Sequence, residues 1–280
     1  MLDRALLLGA DAKRLFAAIA SLETHASLLA DGKCSRAASN PECNRYCDCW
    51  PVDSHLCDVG EAGYLNASLL QLGGAHNYIA AAGPMAPEWH GPDTRGAFWS
   101  AVLKHKVPVL VALAPPQHGF QGCADYCVDG ATYDGVRVEI LRRAEALNGT
   151  ALEEHIRVHR GCEGHSLVRI LFREWPNYGV PEAATSVAGL ITRIDELRPE
   201  GDAAPLLVHC AGGVGRTGSL IVAHSLWAAS RAAAQPIGPD DVCARVKLLR
   251  AQRHPYCVES AQQLQLIFDV LLELDHAARV

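Results

Sequence analysis

The sequence predicts an α/β fold: a single domain over residues 1–280 with a central twisted mixed β-sheet flanked by helices. Two observations carry that expectation. Short apolar runs of strand type crowd the first half, whereas runs with helical periodicity dominate the second. Between them a strand-type run, Leu206–His209, enters glycine-rich residues 212–215 and then a long amphipathic stretch. No linker-like segment divides the chain.

In chain order, residues 11–30 read as a helix through Leu15, Ile19, Leu22 and Leu29, closed by Gly32, so residues 1–30 form a helical N-terminal part of the same domain. Residues 33–60, rich in Cys, Asn, Pro and Asp, read as irregular. Tyr64–Leu70 and Tyr78–Ala82 are strands around the Gly73-Gly74 turn, and Phe98–His105 is a helix. Val107–Leu113 is a buried strand stopped by Pro115-Pro116. Val136–Arg142 and His155–His159 are strands on either side of Asn148-Gly149, followed by Leu167–Phe172. Helices then cover Glu182–Leu197, the stretch ending at Ser230, Asp240–Arg250 and Ser260–His276.

Composition excludes several classes. At 49% hydrophobic and 20% charged residues the chain is an ordinary globular one, not disordered, collagenous or coiled-coil. With 25 basic against 31 acidic residues, a formal charge of -6 argues against a general nucleic-acid or anionic-membrane binder. The N-terminal apolar run is short and bracketed by Asp3, Arg4 and Asp11, which is not a secretory signal. No run approaches the roughly 18 apolar residues of a membrane span. The 11 cysteines are therefore expected as free thiols in a cytoplasmic protein.

The chemistry concentrates in Val208-His209-Cys210-Ala211-Gly212-Gly213-Val214-Gly215-Arg216-Thr217-Gly218. Glycines at 212, 213 and 215 let the backbone curl so that successive N–H groups point inward, and such a nest at a helix N-terminus binds a tetrahedral anion. Arg216 adds a planar fork that fits two phosphate oxygens. Cys210 at the base of the cradle supplies a thiolate nucleophile, and His209 a hydrogen bond that orders the loop. A Walker loop is excluded, because no Gly-Lys-[Ser/Thr] follows the glycines.

His209-Cys210-x5-Arg216-Thr217 resembles the signature of the cysteine-dependent protein tyrosine phosphatases, and the similarity extends through nearly the whole chain. Asn44-Arg45-Tyr46-x-Asp48 with Pro51 and Asp53 is similar to the family's phosphotyrosine-recognition loop. Tyr64-Leu65-Asn66-Ala67-Ser68, Tyr78-Ile79-Ala80 with Gly83-Pro84, and Phe98-Trp99 resemble its next strands and helix. Trp175-Pro176-Asn177-Tyr178-Gly179-Val180-Pro181 resembles the mobile Trp-Pro-Asp loop, and Arg250, Arg253 and Gln263 the late glutamine-containing loop. The resemblance implies the tyrosine-specific branch and no cofactor. It also implies a two-step transfer: Cys210 attacks phosphorus, while Arg216 and the amides of Ala211, Gly212, Gly213, Val214 and Gly215 hold the equatorial oxygens. Thr217 would hydrogen-bond the leaving thiolate, Tyr46 would stack on the substrate ring, and Asp48 would accept from the substrate backbone. The implied partner is a phosphotyrosine protein or peptide; the oligomeric state is not legible.

The pattern breaks where the family's general-acid Asp is Asn177, an amide that cannot deliver a proton. General-acid help is worth about 10²–10⁴-fold, so the first step should suffer most. The Glu that braces the signature arginine is read as Gln117, the Lys before Cys123 as Gly122, and the first Gln of the late loop as Glu259, allowing one extra residue after Arg253. Four readings stay open: Glu182 or Glu174 stands in as acid, Glu259 serves in hydrolysis, the chain is a substrate trap, or it is a pseudophosphatase that binds phosphotyrosine. Inositol-lipid phosphatases usually carry extra basic residues in this loop; residues 211–215 have none.

Other signals read as structural. Cys43, Cys47, Cys49, His55 and Cys57 are dense but lack paired Cys-x2-Cys knuckles, so no metal is expected. A thiol such as Cys123 or Cys127 near Cys210 would allow a reversible disulfide. Trp175 reads as a hinge anchor and His224 as core or partner-facing. The stripe Leu264, Leu266, Ile267, Val270, Leu271 and Leu274 reads as core, with a dimer surface as the alternative. Arg142-Arg143 and the 157–160 segment read as solvated, or as a basic rim that steers acidic phosphopeptides.

Overall fold

The computed structural model describes residues 1–280 except 21–22, 75, 90, 118–121, 178, 199–200, 232–235 and 280. Its strands are β1 (Ala67–Gln71), β2 (Asn77–Ala82), β3 (Val109–Ala112), β4 (Thr132–Tyr133), β5 (Val136–Ala146), β6 (Ala151–Arg160), β7 (Glu163–Phe172) and β8 (Leu206–Cys210). They form one mixed sheet in the order β1-β2-β8-β3-β7-β6-β5-β4. The central four, β2, β8, β3 and β7, run parallel, and antiparallel ladders extend the sheet on both sides. Parallel strands need cover on both faces, which explains why β8 is buried throughout and apolar but for His209.

Helices supply that cover. On one face α6 (Ala184–Leu197), α7 (Gly215–Ser230), α8 (Pro239–Gln252) and α9 (Ala261–Ala277) pack against Tyr78, Val111 and Val208. On the other, α5 (Arg95–Lys104) sets Phe98, Trp99 and Val102 against Ile79, Leu110 and Leu207. Alternate residues of β8 thus feed two cores. Leu264, Leu266, Ile267, Val270, Leu271 and Leu274 are all buried, so the C-terminal stripe is core.

Three readings need correction. The single helix expected over 11–30 is two, α2 (Ala12–Ala18) and α3 (His25–Ala30). Thr24 caps α3 in a reciprocal box with Ser27, and this signal overrides the apolar spacing carried across it. Leu22 lies outside the described residues. A short helix, α1 (Arg4–Leu8), precedes them, capped by the Asp3 side chain, and α4 (Ser35–Ala38) interrupts the irregular segment. β5 and β6 run longer than expected, because one side of this ribbon faces solvent and carries charges in alternation.

One buried ion pair ties the extension to the centre. Arg169 on β7 donates through Nη1 to Glu154 on β6, and both are nearly sealed from water at 2% exposure. Arg143 closes the second carboxylate oxygen at 2.8 Å. Removing one partner of such a pair strands the other charge. Glu154→Ala is therefore expected to lower the urea-unfolding free energy by about 3–5 kcal/mol, and a loss below about 1 kcal/mol would contradict this assignment.

Candidate active site

The carboxyl end of β8 delivers Cys210, residues 211–214 turn, and α7 begins at Gly215. The turn is sharp. Gly213 sits at φ +71°, and a Cβ there would stand 2.3 Å from the Ala81 carbonyl oxygen. Its N–H points inward and donates to Cys210 Sγ at 3.2 Å. The carbonyls of Gly212 and Gly213 point the other way, accepting from Arg253 Nη2 at 3.3 Å and Nε at 3.2 Å.

A cavity of about 150 Å³ opens above the sulfur. Cys210, Ala211, Gly212, Val214, Gly215 and Arg216 line its floor, and Tyr46, Asp48, Cys49, Asn177, Tyr256 and Glu259 its walls. Arg216 is buried and donates to the Leu113 and Trp175 carbonyls at 3.0 and 3.3 Å. Its Nη2 donates to Asn177 Oδ1 at 2.8 Å, so the Trp-Pro-Asn loop rests on the guanidinium. Asn177 Nδ2 is buried without a partner. Gln117 makes no hydrogen bond to Arg216; neutral carbonyls occupy the bracing positions. Trp175 Nε1 donates to the Gly179 carbonyl at 3.2 Å within the loop, while Tyr178 lies outside the described residues.

Tyr46 forms one wall: its ring lies 3.3 Å from where a Gly212 Cβ would stand. The preceding residues anchor it. Asn44 Oδ1 accepts from Tyr64 Oη at 2.7 Å and Asn66 Nδ2 at 2.8 Å, and Arg45 donates to the Gly83 and Pro84 carbonyls. Asp48 is exposed and lines the cavity. Thr217 is fully buried, but its Oγ1 makes no hydrogen bond, to the Cys210 sulfur or elsewhere. Gln263 Oε1 accepts from the Glu259 N–H at 2.8 Å, which holds Glu259 over Gly215.

Sequence reasoning did not single out Arg253 as a loop brace, Cys49 as a cavity wall, or Tyr256. Arg253 reaches the Gly212 carbonyl across 41 residues and Cys49 reaches it across 163, separations that no local spacing announces. Glu174 and Glu182 are exposed and outside the cavity lining. The Cys43–Cys57 cluster disperses: Cys49 Sγ faces the Gly212 carbonyl, whereas Cys57 faces His105. Cys123 and Cys127 turn to the Ala114 carbonyl and to Glu154. His224 is buried, bonded to Tyr78 and Asp195. Among the described residues, no helix is long and apolar enough to cross a membrane.

A family model described as protein-tyrosine phosphatase matches residues 40–273. The chain is 29% identical over 214 residues to receptor-type tyrosine-protein phosphatase S of Gallus gallus, covering 75% of this chain and 13% of that protein. It is 28% identical to a protein-tyrosine-phosphatase of Arabidopsis thaliana, covering 81% of this chain and 68% of the relative. Tyrosine-protein phosphatase non-receptor type 18 of Homo sapiens is 28% identical, covering 88% and 54%. The chain thus spans only a minor part of the receptor.

Beneath the cradle a buried relay sets a pH dependence. Arg169 Nε donates to Tyr126 Oη at 2.9 Å, and Tyr126 Oη lies 2.6 Å from His209 Nε2. His209 Nδ1 faces the Cys210 carbonyl at 3.2 Å. A carbonyl only accepts, so Nδ1 carries the hydrogen and Nε2 accepts from tyrosine. Burial first, then the Arg169 charge, lowers the His209 pKa to about 3. An unfolded histidine titrates near about 6.5, so between these values the unfolded chain binds the extra proton and acid erodes stability. Urea-unfolding free energy should fall as pH drops from about 6.5 toward 4, and fall less steeply in His209→Gln. Equal slopes would contradict a neutral buried His209.

Proposed function

This chain belongs to the protein-tyrosine phosphatase family, and we propose that residues 1–280 act as one such domain, hydrolysing phosphotyrosine in proteins or peptides at a rate held down by Asn177. The observation that carries the reading is Cys210 Sγ held by the Gly213 N–H on the floor of one cavity with Arg216. The sulfur attacks phosphorus, a P–S bond forms, and the P–O bond to the phenol breaks with its electron pair on oxygen. Arg216 and the amides of the 211–215 turn stabilise the equatorial oxygens. Water then cleaves the cysteinyl-phosphate, and Thr217 donates to the returning thiolate after its hydroxyl rotates. The Tyr46 ring in the cavity wall suits an aryl phosphate, and exposed Asp48 accepts from the peptide backbone.

Asn177 decides the rate. Its Oδ1 is taken by Arg216, and its amide cannot protonate the departing phenolate. A phenol of high pKa leaves slowly without that proton, whereas an activated phenol does not need it. The same Asn177–Arg216 bond favours a second reading, a phosphotyrosine-binding pseudophosphatase or trap that holds its ligand under the loop.

Turnover of 4-nitrophenyl phosphate should be near that of an ordinary phosphatase, and turnover of a phosphotyrosine peptide about 10²-fold lower. Asn177→Asp should raise the peptide rate by about that factor. Cys210→Ser should abolish both activities; an unchanged rate would exclude Cys210 as nucleophile. Tight peptide binding with no turnover of either substrate would establish the second reading instead.

A further inference from the structure

Hydrolysis of a cysteinyl-phosphate needs a group that takes a proton from the attacking water, and the Asn177 amide has no such capacity. Only two carboxyls line the cavity among the described residues, Asp48 and Glu259. Among the described residues, none forms a hydrogen bond or ion pair that would hold Asp48 over the sulfur. Glu259 is held. Its Oε2 lies 1.8 Å from the place a Cβ on Gly215 would occupy, so the carboxyl rests directly on the first residue of α7. Any larger residue at 215 would displace it.

The backbone before Glu259 is strained in a way that serves this placement. Val258 is fully buried and β-branched, yet adopts φ 58°, a left-handed conformation that is unfavourable for such a residue and persists only where surroundings enforce it. Arg250 enforces it, donating through Nε to the Cys257 carbonyl at 2.9 Å and through Nη2 to the Val258 carbonyl at 3.0 Å. On the other side, Gln263 Oε1 accepts from the Glu259 N–H at 2.8 Å. Glu259 is thereby clamped from both neighbours, although one face of it stays open to solvent. The protein packed around the carboxyl raises its pKa above the usual carboxylate range, and the Asp48 charge adds to this, while Gln263 and the Arg216 charge oppose it. Such a carboxyl holds a proton more readily than an exposed one.

We propose that Glu259 is the proton acceptor for hydrolysis of the cysteinyl-phosphate, an inference that rests on the phosphatase reading of Cys210. The water oxygen attacks phosphorus and a new P–O bond forms. The P–S bond breaks, and its electron pair returns to sulfur as the Cys210 thiolate. The water proton passes to the Glu259 carboxylate, inorganic phosphate departs, and the solvent-facing side of Glu259 then releases the proton. No oxidant, metal or further reactant enters the balance.

The test is rapid mixing of the full chain with 4-nitrophenyl phosphate, whose leaving group needs no acid. Glu259→Gln should retain a burst of about one nitrophenolate per Cys210, with steady-state kcat lowered about 10²-fold. Its kcat/KM should stay within about threefold, because that ratio reports only steps through P–S bond formation. Adding Asn177→Asp to Glu259→Gln should restore kcat by returning a carboxylate to the cavity. A residue with a merely structural role would lower kcat and kcat/KM together and lose the burst. That outcome overturns the proposal, as does an unchanged kcat in Glu259→Gln. If the wild type itself shows neither burst nor turnover, the phosphatase reading fails first and carries this inference with it.

Discussion

The carbonyls of Gly212 and Gly213 face away from the cavity because a fully buried guanidinium, Arg253, holds them there. An amide plane has two ends, so fixing the oxygens outward fixes the hydrogens inward. Arg253 also donates to Asn66 Oδ1 at 2.6 Å, and Asn66 donates to Asn44 Oδ1, which accepts from Tyr64 as well. One polar chain thus locks the turn beneath the sulfur to the segment that carries Tyr46. Buried networks of this kind rigidify when nearly every member is satisfied, and floor and wall keep their spacing for that reason. The remaining orphan, Arg253 Nη1, marks where the chain stops short of full satisfaction.

Arg216 is held differently, and the contrast has a chemical consequence. Its partners are two carbonyls and the Asn177 amide oxygen, all neutral. Neutral acceptors fix the direction of a guanidinium without cancelling its charge, whereas a carboxylate brace would do both. The charge is left to a ligand in the cavity and to Glu259 at its edge. A carboxyl placed so close to an anion site costs free energy unless it exchanges its proton as the ligand's charge changes. Asn177, as a hydrogen-bond partner, and Glu259, as a neighbouring carboxyl, therefore bear on the same guanidinium. The Trp-Pro-Asn loop brings an amide to the cavity, and the loop before α9 brings a carboxyl.

How far the sequence could be read follows from the range of each interaction. The Cys210–Arg216 turn was legible because glycine spacing, nucleophile and arginine all lie within one strand–loop–helix unit. Most strands were legible in position, with boundaries set by partners that the chain finds elsewhere. The break at Thr24 was written in a capping box but masked by a continuous apolar spacing. The Arg253 brace was invisible, because its two main contacts lie 41 and 187 residues away. The strained Val258 gave no signal either, since a valine sequence neighbour says nothing of a left-handed backbone. Glu259 drew notice only through resemblance to a family pattern, and its place over Gly215 is set by packing between distant loops.

The central claim is that the inward amides and Arg216 present a tetrahedral oxyanion to the Cys210 sulfur. Orthovanadate, a phosphate mimic that accepts a thiolate as a fifth ligand, tests it most directly when soaked into crystals of the protein. Vanadium bonded to Cys210 Sγ, with its equatorial oxygens on the amides of residues 211–216 and on the Arg216 guanidinium, is the outcome this account requires. Vanadate bound elsewhere, or a cradle left empty with Arg216 still committed to Asn177 at saturating concentration, would contradict it.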